Sequence, residues 1–149
     1  MSRKKIIRIY VDTNVLINYC TGQSSDVKAL NYIFSKRRKE VLFTSSLAIV
    51  QTISKLQSKN RKNKVFTRDA TISKLNSILI KFTVLDLSFR DIKTAFTHLN
   101  KDIEDNVHYV LSQKMKCDAI LTNNTKDFVY FNDIAVIIPN TMYIKSFIL

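Results

Sequence analysis

Three aspartates stand at positions where a chain of this pattern can bring carboxylates together. Asp12 directly follows the apolar run Ile6–Val11, Asp105 opens a helical segment, and Asp127 follows the apolar segment Ala119–Thr122. Open α/β sheets bind their ligands beyond the carboxyl ends of the strands, which is where Asp12 falls. Unpaired carboxylates in one cleft repel each other and raise one another's pKa. If the three side chains converge, a divalent cation is the simplest reason for their proximity.

The apolar periodicity of the chain predicts the strands that must position these residues. Five strands are expected, over Ile6–Val11, Val41–Thr44, Thr83–Leu85, Ala119–Thr122 and Ile134–Ile138, with helical patterns between them. Strands that alternate with helices in this way form a parallel sheet. The sequence therefore predicts an α/β fold in which the ends of neighbouring strands meet at one edge.

Between the strands, apolar residues recur at helical spacing. Ser24, Ser25 and Asp26 indicate the start of one helix, and Ser88 is expected to cap a later one. Gly22, the only glycine, is expected to interrupt the chain just before the first of these helices. Three apolar stripes are expected to face the core, namely Val27, Leu30, Ile33 and Phe34, then Ile72, Leu75, Ile78 and Leu79, then Ile92, Ala95, Phe96 and Leu99.

Length and composition limit the class of protein. A chain of 149 residues with 46% hydrophobic content predicts one domain over residues 1–149. No run approaches ~18 apolar residues, so we expect no membrane span, no signal peptide and a cytoplasmic protein. Cys20 and Cys117 are too few for a disulfide framework or a zinc site. His98 and His108 have no nucleophile in a recognisable motif beside them, which disfavours a covalent hydrolase.

The charge of the chain is strongly basic. Twenty-four Lys and Arg against twelve Asp and Glu give a net charge of +12, which favours a polyanionic partner, with nucleic acid preferred over a membrane surface. A solvated, lysine-rich surface explains such charge runs equally well. Expected nucleic-acid contacts are Arg37, Arg38, Lys59, Arg61, Lys62, Lys64 and Arg68, within basic runs that also hold Lys36, Lys39 and Lys55.

The motifs around the three aspartates resemble those of the PIN-domain nucleases. The matching segments are IYVDTNVLI at residues 9–17, DIEDNVHY at 102–109 and DAILTNNTKDF at 118–128. Each motif alone is weak, but their order and separation fit the family together, and the resemblance covers nearly the whole chain. It implies a three-layer α/β/α sandwich with a central parallel sheet of four to five strands.

The resemblance also implies an activity. A PIN domain of this kind is expected to be a metal-dependent endoribonuclease in which Asp12, Asp105 and Asp127 hold Mg²⁺ or Mn²⁺. Short members resemble VapC-type toxins of bacterial toxin–antitoxin systems, which cut RNA and are silenced by a small partner protein. The expected partners are therefore RNA, an antitoxin protein and, because PIN relatives often pair, a second copy of the chain.

One position departs from the family pattern. PIN domains usually carry a Glu on the helix after the second strand, and Gln51 occupies that position here. An amide is a weaker ligand for a hard cation than a carboxylate. Glu40 is the nearest acid, but it precedes the strand and is expected at the opposite end of the sheet, like Asp118. A degenerate PIN domain that binds RNA or protein without cleaving it is the main alternative.

Other polar residues are expected to support the site. Asn14 is expected to orient Asp12, Ser45 and Thr122 to hydrogen-bond phosphate or bound water, and Asn124 to support the cation or substrate. In the 102–109 segment, Asp102 could be a helix N-cap with Asp105 at the third helical position. Glu104 is then expected to point away from the site.

A haloacid-dehalogenase-like phosphatase is a weaker alternative. Such enzymes also begin with an apolar strand and an Asp, but they need a second Asp two positions later as general acid. Asn14 occupies that position, and the later lysine context is missing. The set of motifs therefore favours a nuclease.

Overall fold

Five parallel strands form one sheet in the computed structural model, which describes residues 6–35, 40–58 and 66–142. The strands are β1 (Ile7–Val11), β2 (Glu40–Ser45), β3 (Thr83–Leu85), β4 (Ala119–Leu121) and β5 (Ala135–Ile137). Their order across the sheet is β3-β2-β1-β4-β5, and every neighbouring pair is parallel. The five predicted strands are confirmed, with bounds that differ by one residue at most at either end.

Eight helices connect or follow these strands in the described residues. They are α1 (Thr13–Thr21), α2 (Ser24–Ser35), α3 (Ser46–Leu56), α4 (Arg68–Leu79), α5 (Phe89–Ala95), α6 (Ile103–Lys114), α7 (Thr125–Phe128) and α8 (Pro139–Met142). None of these helices is long and apolar enough to cross a bilayer.

The helices cover both faces of the sheet because strand side chains alternate between the two faces. Ile9 and Val11 of β1 pack into one core cluster with apolar residues of α1 to α4. Tyr10, between them, points into a second cluster with residues of α5, α6 and α7. The predicted three-layer α/β/α sandwich is confirmed.

Polar side chains fix where several helices begin. The side chains of Asp12, Ser45, Thr67, Ser88 and Asp102 each accept a hydrogen bond from a backbone N–H in the first turn of the helix that follows. At the other end of α1, Gly22 adopts φ 82°, a left-handed conformation that glycine tolerates better than other residues. The predicted break at Gly22 and the predicted cap at Ser88 are confirmed.

Parts of the predicted apolar stripes are not buried. Leu30, Ile33, Leu75, Ile78 and Ala95 are buried. The expectation that Ile72, Phe96 and Leu99 face the core is wrong, because these side chains are 44%, 56% and 87% exposed. For the last two the reason is that α5 ends at Ala95, so the helical period stops before they are reached.

Candidate active site

The site lies where the connections from the sheet change direction. After β1 the chain moves outward to β2 and β3, and it later returns to place β4 on the other side of β1. The gap between the carboxyl ends of β1 and β4 is thus the switch point at which open α/β sheets bind ligands. A cavity of about 660 Å³ opens here. It is lined by Asp12, Thr13, Asn14, Ile17, Val50, Gln51, Ser54, Lys55, Asp102, Glu104, Asp105, His108 and Asn124.

Asp12 is held rigidly at the end of β1. Its Oδ1 accepts a hydrogen bond of 2.8 Å from the backbone N–H of Thr13. Its Oδ2 accepts from Asn14 Nδ2 at 2.9 Å and from Thr122 Oγ1 at 2.8 Å. Asn14 Nδ2 also donates to the Thr122 hydroxyl at 3.1 Å. Asp12 is 4% exposed, and these three donors stabilise a carboxylate that burial alone would disfavour.

The other acidic residues form a tight cluster at the start of α6. One carboxylate oxygen each from Asp102, Asp105 and Asp127 lies within 4.8 Å of the others. Burial raises the pKa of Asp105 to about 7, and the neighbouring charges of Asp102, Asp12 and Asp127 add to that rise. Asp12 and Asp105 line the same cavity, while Asp127 meets Asp105 in the cluster, so Asp105 connects the other two predicted aspartates.

The side chain of Asp105 does not complete a capping box at the start of α6. Asp102 is the N-cap of α6, and its Oδ1 accepts from the Asp105 N–H at 3.2 Å. In a full capping box the side chain of Asp105 would accept from the Asp102 N–H, but that N–H donates to Asn100 Oδ1. Asp105 Oδ2 is buried without a hydrogen-bond partner.

An orphaned, buried carboxylate oxygen beside two other carboxylates fits a divalent cation. Buried polar atoms normally have partners, and an exception calls for a bound ligand, water or ion as explanation. The donor set consists of hard carboxylate oxygens, which are the ligands that Mg²⁺ and Mn²⁺ prefer. Asp102, Asp105, Asp127 and Asp12 are the residues that could hold such an ion.

Gln51 lies in the same cavity, but its carbonyl oxygen is already engaged. Its Oε1 accepts hydrogen bonds from Thr13 Oγ1 at 2.6 Å and from His108 Nε2 at 3.0 Å. Its Nε2 donates to Glu104 Oε2 at 2.8 Å. Since a carboxylate can only accept, Glu104 fixes which end of the amide faces which neighbour. Both acceptor sites of the Gln51 oxygen are therefore occupied by this protein's own donors.

A buried hydrogen-bond chain leads away from Gln51 into the second core cluster. Because Gln51 Oε1 can only accept, His108 Nε2 carries the proton of a neutral ring, and Nδ1 accepts from Tyr10 Oη at 2.7 Å. The Tyr10 hydroxyl has no second hydrogen to donate, so the Ser45 hydroxyl donates to Tyr10 Oη at 2.8 Å, and it accepts from the Ala48 N–H. Burial lowers the pKa of His108 despite the nearby charges of Asp12, Glu104 and Asp102, which is consistent with a neutral imidazole.

The sequence profile of the PIN domain matches residues 9–135. The chain belongs to the PIN-domain family. The match begins inside β1 and ends at the first residue of β5, so it covers β2, β3 and β4 in full and includes all four aspartates of the cavity and its cluster. A search of curated protein sequences gave no significant match.

Solved structures share the fold of this PIN domain at low sequence identity. A chain of VapBC-1 from nontypeable Haemophilus influenzae is 13% identical, with a TM-score of 0.64 over 89% of this chain and 98% of that one. A chain of FitAcB from Neisseria gonorrhoeae is 18% identical, with a TM-score of 0.60 over 88% and 97%. VapC20 from Mycobacterium tuberculosis, described as a toxin that cleaves the sarcin-ricin loop, is 13% identical, with a TM-score of 0.55 over 75% and 86%.

Two residues that line the cavity, Glu104 and His108, were not expected there from the sequence. Glu104 was expected to point away from the site, and that expectation is wrong, because Glu104 lines the cavity and accepts from Gln51. The sequence gives no reason to place His108 at the site, yet it lines the cavity and contacts Gln51. Its position three residues after Asp105, on the same helical face, was the signal that could have found it.

Ser45 and Thr122 do not reach the cavity. Both are fully buried, and their hydroxyls are hydrogen-bonded within the protein, to Tyr10 and to Asp12 respectively. The expectation that they contact a phosphate is therefore wrong, because neither is exposed, and they support other side chains instead. Their contact with a bound water stays a prediction. Asn124 does line the cavity, as an exposed residue whose backbone N–H donates to Thr122 Oγ1.

Most of the predicted nucleic-acid contacts cannot be placed. Arg37, Arg38, Lys59, Arg61, Lys62 and Lys64 lie outside the described residues, as do Lys36 and Lys39. Arg68 is described, and its exposed side chain pairs with Asp69 at 2.8 Å. At the far end of the sheet, Asp118 Oδ2 accepts from the Arg8 N–H, so Asp118 lies away from the site as expected.

Proposed function

We propose that this PIN domain is a metal-dependent endoribonuclease that uses Mg²⁺ or Mn²⁺. The observation that carries the proposal is the buried, unpartnered Oδ2 of Asp105 beside Asp102 and Asp127. Carboxylates kept this close without a cation repel each other. Burial raises the pKa of Asp105, and this repulsion adds to the rise. A cation is the ligand that best explains why the fold keeps them together.

In this proposal Asp12, Asp105 and Asp127 hold the ion, and Asp102 contributes an oxygen from the helix start. A bound divalent ion supplies a water of lowered pKa and neutralises charge that develops on the phosphate. Asn14 and Thr122 keep the Asp12 carboxylate in one orientation through their hydrogen bonds to Oδ2. The protein's own contribution is thus a rigid, preorganised set of acceptors.

RNA is the proposed substrate on two grounds. The net charge of +12 favours a polyanion despite the acidic cavity, and VapC20, which shares the fold, is described as cleaving the sarcin-ricin loop. The neighbours VapBC-1 and FitAcB are two-protein assemblies by name. We therefore propose that a small antitoxin protein silences this chain. The pairing of two copies of the chain remains a prediction.

The test is cleavage of a mixed pool of structured RNAs by the purified protein with Mg²⁺, Mn²⁺ or a chelator. Asp12→Asn keeps the size of the side chain but removes its charge and one of its two acceptor oxygens. Asp86→Asn, at an exposed position outside the cavity, is the matched control. Metal-dependent cleavage that is lost only in Asp12→Asn supports the proposal. Equal residual signals in all three proteins would identify a contaminating nuclease and contradict it.

A second candidate function is an RNA-binding PIN domain without cleavage. The observation that favours it is the engaged Gln51 oxygen, because the family's usual Glu is replaced by a side chain that has no free acceptor for an ion. Tight RNA binding with no cleavage under any metal would establish this alternative.

A further inference from the structure

The wall of the cavity formed by α3 differs chemically from the acidic wall opposite. Four residues of α3 line it, namely Val50, Gln51, Ser54 and Lys55. Their spacing of one, three and one residues places them on one face of the helix, over adjacent turns. Across the cavity, Asp102, Glu104 and Asp105 project from the start of α6. The cavity therefore has one wall rich in carboxylates and one without any.

Among the described residues that line the cavity, Lys55 has the only cationic side chain. An ammonium group near several carboxylates ordinarily forms an ion pair with one of them. Within the part of the chain that the structure describes, Lys55 forms no ion pair and the Ser54 hydroxyl makes no hydrogen bond. Both side chains are exposed toward the opening, so an ammonium and a hydroxyl on adjacent residues remain free to bind a ligand.

We propose that Lys55, assisted by Ser54, binds a backbone phosphate of the RNA next to the phosphate that lies at the acidic cluster. The inference rests on the proposed function, since it assigns the position of the substrate strand. A cavity of about 660 Å³ is in the range that holds a small organic ligand, so it has room for a nucleotide. Ile17 and Val50 offer apolar lining for the sugar or base.

Lys55 also lies in the last turn of α3, where a cation stabilises the helix dipole. If Lys55 only stabilises the helix, its replacement should lower the stability of the protein and leave its affinity for RNA unchanged. If Lys55 binds a phosphate, its replacement should weaken RNA binding and leave stability unchanged, because the ammonium meets its partner only when the strand is bound. Lys55 is in this view a substrate-positioning residue.

The experiment measures binding of a single-stranded RNA oligonucleotide at several salt concentrations, beside steady-state cleavage. The variant is Lys55→Met, which keeps the length of the side chain, and the control is Lys93→Met on α5, outside the cavity. For Lys55→Met we expect Kd to rise about tenfold, as for loss of a charge-assisted contact. The slope of log affinity against log salt should weaken by about 0.7, the value for one phosphate on a single strand.

Cleavage distinguishes positioning from structural damage. Loss of a residue that binds substrate and transition state equally well raises KM and leaves kcat nearly unchanged. We expect that pattern for Lys55→Met and a melting temperature close to that of wild type. The same Kd and the same salt slope as wild type, or a loss shared by Lys93→Met, would overturn the inference.

Failure of this inference and failure of the nuclease proposal have different signatures. If wild type binds RNA but does not cleave it, and Lys55→Met still weakens binding and reduces the salt slope, the phosphate contact is supported and the nuclease proposal is contradicted. If wild type cleaves RNA and Lys55→Met behaves like wild type, the nuclease proposal is supported and the phosphate contact is contradicted. If wild type neither binds nor cuts RNA, both are overturned.

Discussion

Gln51 donates a hydrogen bond of 2.8 Å from Nε2 to Glu104 Oε2, so a side chain of α3 is tied to a carboxylate from α6. A glutamate at position 51 could not make this contact, because two carboxylates would face each other. The amide therefore joins α3 to α6. Gln51 also accepts a hydrogen bond from His108, so this one side chain contacts two residues of α6.

Gln51→Glu is expected to destabilise the metal-free protein. The new carboxylate would lie against Glu104, in a cavity that already holds Asp12, and like charges at such distances disfavour one another. We expect a loss of about 1–2 kcal/mol in the free energy of unfolding, seen as a melting temperature lowered by roughly 2–4 °C per kcal/mol. Mg²⁺ should restore most of the loss, because binding to the native state adds stability.

The measurement for Gln51→Glu is thermal unfolding with chelator and with Mg²⁺, next to Gln23→Glu as an exposed control. A Gln51→Glu protein as stable as wild type in chelator would mean that the Gln51–Glu104 contact is not formed.

Asp105→Asn should raise stability while it weakens metal binding. The buried Asp105 carboxyl has a pKa raised to about 7 by burial and neighbouring charges, so its ionised form opposes folding near neutral pH. An amide removes that charge, and we expect a gain of about 1 kcal/mol in the absence of metal. The stabilisation that Mg²⁺ gives wild type should be absent. Calorimetry with and without Mg²⁺ tests both parts, with the exposed Asp69→Asn as control.

Tyr10→Phe is expected to break the buried chain between Ser45 and His108. The Tyr10 hydroxyl contacts both residues, and its removal leaves His108 Nδ1 without a donor. An unsatisfied buried group of this kind costs about 1–3 kcal/mol. Urea unfolding should show this loss, whereas Tyr19→Phe, whose hydroxyl bonds to exposed Asn31, should change stability by less than about 0.5 kcal/mol. Similar losses in the two variants would argue that the chain is not formed.

Asp91→Asn should destabilise the protein in a manner that depends on pH. Burial raises the pKa of Asp91, but hydrogen bonds from Ser88 and the Lys114 ammonium at 3.1 Å outweigh it, and the net pKa is below 3.8. A depressed pKa adds stability above the unfolded value, and this stability disappears as the pH falls through the folded value. The difference of about 1 kcal/mol from wild type at neutral pH should therefore shrink below about pH 4. Urea unfolding over this pH range checks it, and a constant difference would exclude the ionised Asp91 as its cause.

The sequence was sufficient for the strands and for the position of Asp12. Strand identity follows from short apolar runs, and the carboxyl end of a first parallel strand is defined by the fold class alone. The environment of Asp105 is harder to predict from sequence, because an aspartate at the third helical position can also belong to a helix cap. Only the structure reveals that the Asp102 N–H donates to Asn100 and leaves the Asp105 carboxylate free to face the cluster.

The connection of Gln51 to His108 and Glu104 could not be predicted from spacing. The two partners lie more than fifty residues after Gln51 in the chain, and their meeting depends on how α3 and α6 approach across the sheet edge. The expectation that Glu104 points away from the site is wrong because the side chains of the first helical turn point in several directions around the helix end, so several helical faces can border one cavity. Phe96 and Leu99 are exposed although burial is expected from their spacing, because apolar spacing does not reveal that α5 ends at Ala95.

The central position of β1 has a consequence for synthesis of the protein. β1 lies between β2 and β4, and the contact of Asp12 with Thr122 at the end of β4 joins residues 110 positions apart. While the chain is still growing on the ribosome, β1, β2 and β3 can pair, but one side of β1 stays open and the cluster around Asp105 and Asp127 does not yet exist. The cavity and its acidic cluster are completed only when residues up to Asp127 have emerged, so a nascent chain that carries β1, β2 and β3 alone has no finished site.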